Sequence, residues 1–308
     1  MFKSEKAALA ACRTIWQSMK KKNQEKWFDE DFGPKDDNDI LGNIHSLYTQ
    51  NAKPVDVKID PETGKPYPPE KKTPEQEKAD AEFKKKNGVL PQKGYPLPEE
   101  VIWRSADYVV PDAKKKEKDF KMEFVDGGAS AADCTQGNLG DCWFISALGV
   151  CATRDALLMG GRDGLVPEKG MIVDKEIALL FCNGIYAPIF HKFRTRGLYV
   201  LRFFKNMEWI YVLIDDRLPI NKKEKKAIFG HSDGNPQEMW VSLIEKGYAK
   251  LHGCYGNLIS GYIDEGVQEL TGFQPEKVLI RDEKTGNFPH KMIVNYGKDK
   301  DGFWEFLM

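Results

Sequence analysis

No Cys-x-x-Cys pair occurs among the six cysteines, Cys12, Cys134, Cys142, Cys151, Cys182 and Cys254. That absence weakens zinc-ribbon and thioredoxin-type readings. No apolar run approaches the roughly 20 residues that a membrane-spanning helix needs. Net charge is nearly absent as well: 46 Lys and Arg stand against 47 Asp and Glu, a formal −1. Neither nucleic acid nor an anionic membrane is therefore indicated as the main partner. The N-terminal residues do not read as a secretory signal either, because Lys3, Glu5 and Lys6 precede an alanine-rich segment that soon meets Arg13. Widely spread cysteines without these features read as free thiols of a reducing, cytoplasmic compartment. What remains is a polypeptide of 308 residues, 41% hydrophobic and 30% charged, long enough for one large or two ordinary domains.

Hydrophobic spacing divides the chain. Ala8, Cys12, Ile15, Trp16 and Met19 recur at helical spacing behind Ser4, which predicts an amphipathic helix over residues 4–22. Such a helix docks on a core or offers a face to a partner. Residues 51–98 are dominated by Lys, Glu and Pro and read as a solvated linker, within which Thr73-Pro74-Glu75 and Asn87-Gly88 bracket a short charged helix at 74–86. Residues 198–204 and 209–214 are rich in β-branched and aromatic side chains and predict a β-hairpin turning at Lys205-Asn206-Met207-Glu208. From Glu238 the period changes: Trp240, Leu243, Ile244, Tyr248 and Leu251 share one helical face that Gly253 ends.

The chemistry concentrates in Gln136-Gly137-Asn138-Leu139-Gly140-Asp141-Cys142-Trp143-Phe144. Two glycines predict a tight turn, and the apolar run Phe144, Ile145, Ala147, Leu148 and Val150 predicts a buried helix directly after it. A thiol in the first turn of such a helix meets unpaired N–H groups and the positive end of the helix dipole, which favour thiolate. Gln136 can donate its amide to an oxygen that gains charge when the thiolate attacks a carbonyl. A free cysteine taken alone is more often a small core residue, and Cys134, Cys151, Cys182 and Cys254 are read that way.

These residues, in order along the chain, resemble the calpain family of calcium-dependent cysteine endopeptidases. The segment from Gln136 to Trp143 resembles the family's active-site segment, and Val101, Trp103 and Arg104 resemble its Trp-Arg strand upstream. Asp215-Asp216-Arg217-Leu218-Pro219, the run from Glu238 to Lys250, Gly253-Cys254-Tyr255 and the stretch from Gly266 to Gly272 continue the resemblance. It covers residues 100–275 well and 27–48 loosely, with a linker longer than usual for the family. The resemblance implies an α+β, papain-like cysteine-peptidase core: a mainly helical first subdomain with a small β-hairpin or sheet, and a second subdomain cut short. The expected organisation is an N-terminal helix and pre-core segment at 1–50, the linker at 51–98, the first subdomain at 99–275 and the start of the second at 276–308.

By the same resemblance Cys142 is the nucleophile and Gln136 the oxyanion donor. A calcium ion is implied beside them, held by the carbonyls of Asp126 and Gly128 and by the carboxylates of Asp133 and Glu238. Calcium takes several hard oxygen ligands, whereas carboxylates at such spacing can equally be solvated or cap helices. Asp126 departs from the family pattern, where apolar residues are common; a backbone ligand tolerates the change. A thiolate also needs an imidazole and a group to orient it. The family's Gly-His-Ala-Tyr-like and Asn-Pro-Trp-like segments do not occur here. His290 lacks the flanking glycine and tyrosine, Asn235-Pro236 precedes the helix, and His45, His191, His231 and His252 sit in no catalytic setting. The expectation is an attacking half that is inactive alone, acts on protein substrates when complete, and is continued beyond Met308. The alternative is a non-catalytic calcium-responsive or partner-binding module.

Overall fold

The computed structural model describes residues 1–34, 41–44, 47, 95–96, 98–116, 121–126, 128–153, 185, 188–233 and 235–275. The chain divides into two units, Met1–Phe273 and Gln274–Met308, and every element below belongs to the first. The charged helix expected at 74–86 and the tail that holds His290 lie outside the described residues.

Helix α1 (Glu5–Lys21) begins where expected, with the Ser4 hydroxyl accepting from the Ala7 N–H at 3.2 Å. It buries Ala8, Cys12 and Met19, and Trp16 meets Phe193 edge-on at 5.6 Å. Ahead of it the Phe2 backbone exchanges two hydrogen bonds with Tyr211, at 2.8 and 2.7 Å, so the N-terminus extends the hairpin by one bridge. That hairpin is β3 (Leu198–Lys205) and β4 (Glu208–Asp215), paired antiparallel from Leu198 opposite Asp215 to Lys205 opposite Glu208. Asn206 and Met207 turn it with φ of 53° and 64°, the two left-handed positions that match strand twist.

Strand β1 (Val101–Ser105) pairs antiparallel with β5 (Arg217–Asn221), which also takes β6 (Lys226–Ala227). A second small ladder joins β2 (Cys134–Thr135) to β7 (His231–Ser232). Helix α2 (Cys142–Ala152) buries Phe144, Ile145, Ala147, Leu148, Cys151 and Ala152. Helix α3 (Trp240–Leu251) is buried along nearly its whole length, and α4 (Ile263–Thr271) packs on α2. The core is knotted by aromatic rings: Tyr248 of α3 stacks on Phe144 of α2 at 3.9 Å and 13° and meets Phe203 of β3 edge-on at 5.5 Å.

A buried ion network ties α3 to the end of the hairpin. Lys246 and Asp215, each 0% exposed, pair directly, and Lys246 also donates to the carbonyls of Asp215 (3.1 Å) and Arg217 (2.6 Å). The other Asp215 oxygen accepts from Arg217 Nε at 2.7 Å and from the Asp29 N–H at 2.8 Å. Lys250 closes on both oxygens of Asp29, at 2.8 and 2.7 Å. The Asp-Asp-Arg sequence thus anchors the pre-core segment as well as the hairpin. Burial alone would raise the Asp215 carboxyl, but Lys246 and Arg217 outweigh it and hold the group below the usual carboxylate range.

Candidate active site

The loop from Gln136 to Asp141 is seated on the segment before β7. Asn138 N–H donates to Ile228 O at 2.8 Å, and a Cβ on Gly137 would come within 2.4 Å of the Ile228 carbonyl and the Phe229 backbone. Only glycine permits this approach. The Gln136 amide nitrogen donates to Leu139 O at 2.6 Å, which folds the side chain over its own turn and leaves its second hydrogen unspent. Cys142 is the first residue of α2 and is exposed, between buried Asp141 and half-buried Trp143. The Asp141 carbonyl accepts from Phe144 (2.8 Å) and Ile145 (3.1 Å), whereas the N–H groups of Cys142 and Trp143 have no acceptor among the described residues. An accessible thiol therefore sits beside unspent donors.

Three of the other described thiols differ. Burial pushes Cys12, Cys134 and Cys151 up to about 12, so they stay protonated near neutral pH. Trp143 fixes the far side of the site: its Nε1 donates to Leu258 O at 2.9 Å, and its ring lies 2.4 Å from where a Cβ on Gly261 would stand. Ser260 N–H donates to Gly140 O at 3.0 Å, so the backbone at 260–261 runs beside the turn that precedes Cys142. Sequence reasoning missed Gly261; a single glycine in Ser260-Gly261-Tyr262 is the only trace it leaves.

Of the residues implied as calcium ligands, Asp126 and Glu238 share a hydrogen bond, and the Asp133 charge is felt at Glu238. Ser130 and Asp133 form a reciprocal cap, with the Ser130 N–H donating to Asp133 Oδ2 at 2.7 Å. Gly128 holds φ at 106°, a conformation that favours glycine. Glu238 precedes α3 and accepts from the Asp126 N–H at 2.9 Å. Burial raises the Glu238 carboxyl, that hydrogen bond lowers it in part, and the nearby Asp133 charge raises it further. Asp126 itself accepts from Gln237 Nε2 (2.6 Å) and Asn235 Nδ2 (3.1 Å), which lower its carboxyl below the usual range. The departure from the family pattern at Asp126 thus clamps two loops, and Asn235 serves that clamp. Among the described residues no three His, Cys, Asp or Glu side chains converge as a metal cluster. Any cation here would depend on carbonyl oxygens beside the Asp133 and Glu238 carboxylates.

The two histidines with described side chains are engaged elsewhere. His231 Nδ1 meets Phe229 O at 3.0 Å. His252 lies between Lys205 (3.0 Å) and Glu269 (3.2 Å).

A mixed helix-and-strand core with an exposed thiol heading a buried helix defines a domain of the cysteine-peptidase class. The family of calpain family cysteine proteases matches residues 79–301, and the chain belongs to it. It is 33% identical to a calpain of Schistosoma mansoni over 174 residues, which is 56% of this chain and 19% of the relative. It is 34% identical to human calpain-8 over 180 residues (58% and 20%) and 36% identical to mouse calpain-9 over 162 residues (53% and 20%). The chain thus spans about a fifth of the length of these curated relatives. Calpain membership implies a papain-like fold, with which the mixed helices and small sheets agree. No helix among the described residues is long and apolar enough to cross a membrane.

Proposed function

We propose that this chain is the nucleophile-bearing first subdomain of a calcium-dependent cysteine endopeptidase that acts on cytoplasmic proteins. One observation carries the reading: Cys142 is exposed at the head of a buried helix, on the same turn as the Gln136 amide. The Cys142 thiolate attacks a peptide carbonyl to form a tetrahedral adduct. The unspent Gln136 hydrogen and the N–H groups heading α2 stabilise the oxygen that gains charge. The departing amine then takes a proton from an imidazole, leaving an acyl-enzyme for water to hydrolyse. The exposed backbone at Gly261 runs beside the turn that carries Cys142.

The loop fits calcium by its donor chemistry, since hard oxygens line it and the Asp133 and Glu238 carboxylates repel each other. Asp133 and Glu238, with the carbonyls of Asp126 and Gly128, would hold the ion. Bound there, calcium would supply positive charge to relieve this repulsion and would tie the loop to the start of α3. The imidazole is expected from a second subdomain, because no Gly-His-Ala-Tyr-like or Asn-Pro-Trp-like segment occurs in the sequence.

Hydrolysis of a fluorogenic peptide tests this reading. The chain alone should be inert, and the chain joined to a calpain-type His/Asn half should cleave and lose activity on Cys142→Ser. Turnover by the chain alone that His290→Ala abolishes would contradict the assignment. A joined protein inert under all calcium conditions would favour a non-catalytic module.

A further inference from the structure

Directly behind the nucleophile lies a buried charge that the proposed reaction does not use. Asp141 occupies the N-cap position of α2, where an aspartate ordinarily accepts a hydrogen bond from the helix N–H groups. Here its carboxyl makes no capping bond. It is 0% exposed, and neither oxygen has a hydrogen-bond partner among the described residues. What faces it is a second carboxyl, Glu245 of α3, 1% exposed. Glu245 in turn accepts from the Gly230 N–H at 3.1 and 3.0 Å, on the segment that supports the nucleophile loop, and Ser242 donates to Gly230 O at 2.7 Å. The cavity beside Glu245, lined also by Gly230, Ser242 and Tyr255, measures about 10 Å³, room for one water at most.

Two carboxylates cannot both stay ionised in contact and out of water. Among the described residues, the titratable groups facing them from other elements are Tyr95 and Tyr255, whose hydroxyls are pushed up first by burial and then by these carboxyls. The neighbouring Lys246 is committed to Asp215. A proton is the remaining way to satisfy the orphaned Asp141 oxygens.

We propose that Glu245 and Asp141 share one proton, and that this pairing holds the Asp141 carboxyl away from the N-terminus of α2, keeping the N–H groups of Cys142 and Trp143 open for the reaction. The inference rests on Cys142 being the nucleophile and makes Asp141 and Glu245 positioning residues. Burial raises the Asp141 carboxyl, offset in part by Glu245 and its own amide; burial and then Asp141 raise Glu245 well above the usual range. The folded pair thus binds its proton more tightly than the unfolded chain does. Its contribution to stability is complete below the ordinary carboxylate range and is lost as pH rises through the pair's own titration. Once the proton leaves, repulsion drives Asp141 toward the helix N–H groups, and Cys142 loses them.

Infrared spectroscopy of the whole chain at about pH 7 tests the shared proton, since a carboxylic acid buried there absorbs apart from carboxylates. The expected result is a protonated-carboxyl band in the natural chain that is displaced or lost in Asp141→Asn and in Glu245→Gln and bleaches as pH rises. Over that same pH interval, alkylation of Cys142, normalised to a small thiolate and read by peptide mass, should fall several-fold in the natural chain only. Either amide variant suffices should the other fail to fold. A natural chain without the band overturns proton sharing, whatever Cys142 does. A band accompanied by pH-independent Cys142 alkylation overturns the positioning role. Cys142 reacting no faster than Cys254, with the band present, overturns the nucleophile reading and the positioning role together, while the shared proton stands.

Discussion

Asp215→Asn should be among the most damaging single changes in the first unit, although it alters one oxygen and one charge. The carboxylate and Lys246 are both 0% exposed, and the amide leaves the Lys246 ammonium buried with only neutral oxygens around it. It also weakens the bonds from Arg217 Nε and the Asp29 N–H, through which the pre-core segment is held. Breaking one side of a buried pair costs about 3–5 kcal/mol, whereas replacing both partners by apolar groups is often near neutral. At roughly 2–4 °C per kcal/mol for a unit of this size, the melting point should fall on the order of 10 °C. Urea unfolding followed by tryptophan fluorescence gives the free energy directly. The double variant Asp215→Asn with Lys246→Met should recover at least half of the loss, since no buried ammonium remains. A single variant that costs under about 1 kcal/mol, or a double variant as unstable as the sum of the singles, would refute the network as the clamp.

The same network sets a pH dependence. The Asp215 carboxyl is depressed in the fold, so its stabilisation is present above the ordinary carboxylate value of about 4 and is lost as pH falls through the folded value; urea midpoints should drop there, less steeply in Asp215→Asn. A Cβ at Gly261 would lie 2.4 Å from the Trp143 ring, so Gly261→Ala should destabilise by about 1–3 kcal/mol and slow Cys142 alkylation; an unchanged rate would remove Gly261 from the site. Calorimetric titration with calcium should give a binding signal that Asp133→Ala abolishes, and an unchanged isotherm would dismiss that ligand.

Local pattern and long-range pairing were unequally legible. Helix α1, the hairpin and α3 follow from periodicity because each repeats one buried face many times, and the structure finds all three within a few residues of the expected bounds. The thiol at the helix head was legible because a glycine turn and an apolar run are contiguous in sequence. The partners that complete the site are not contiguous. Strand β1 pairs with a strand more than a hundred residues later, Glu245 reaches Asp141 from another helix, and Gly261 meets Trp143 across the fold. Asp126 looked like an anomaly because its side-chain partners, Asn235 and Gln237, are brought to it only by the fold. Side chains satisfied by distant elements leave no periodic trace, and these are the residues packed around the turn that carries Cys142.

Site-resolved alkylation of the natural chain at about neutral pH tests the central claim most directly, because reactivity follows thiolate character and access. The account predicts that Cys142 reacts at least tenfold faster than Cys134, Cys151 or Cys254, and that a peptidyl electrophile labels it alone. Equal labelling of these cysteines, or preferential labelling of any other, would contradict it.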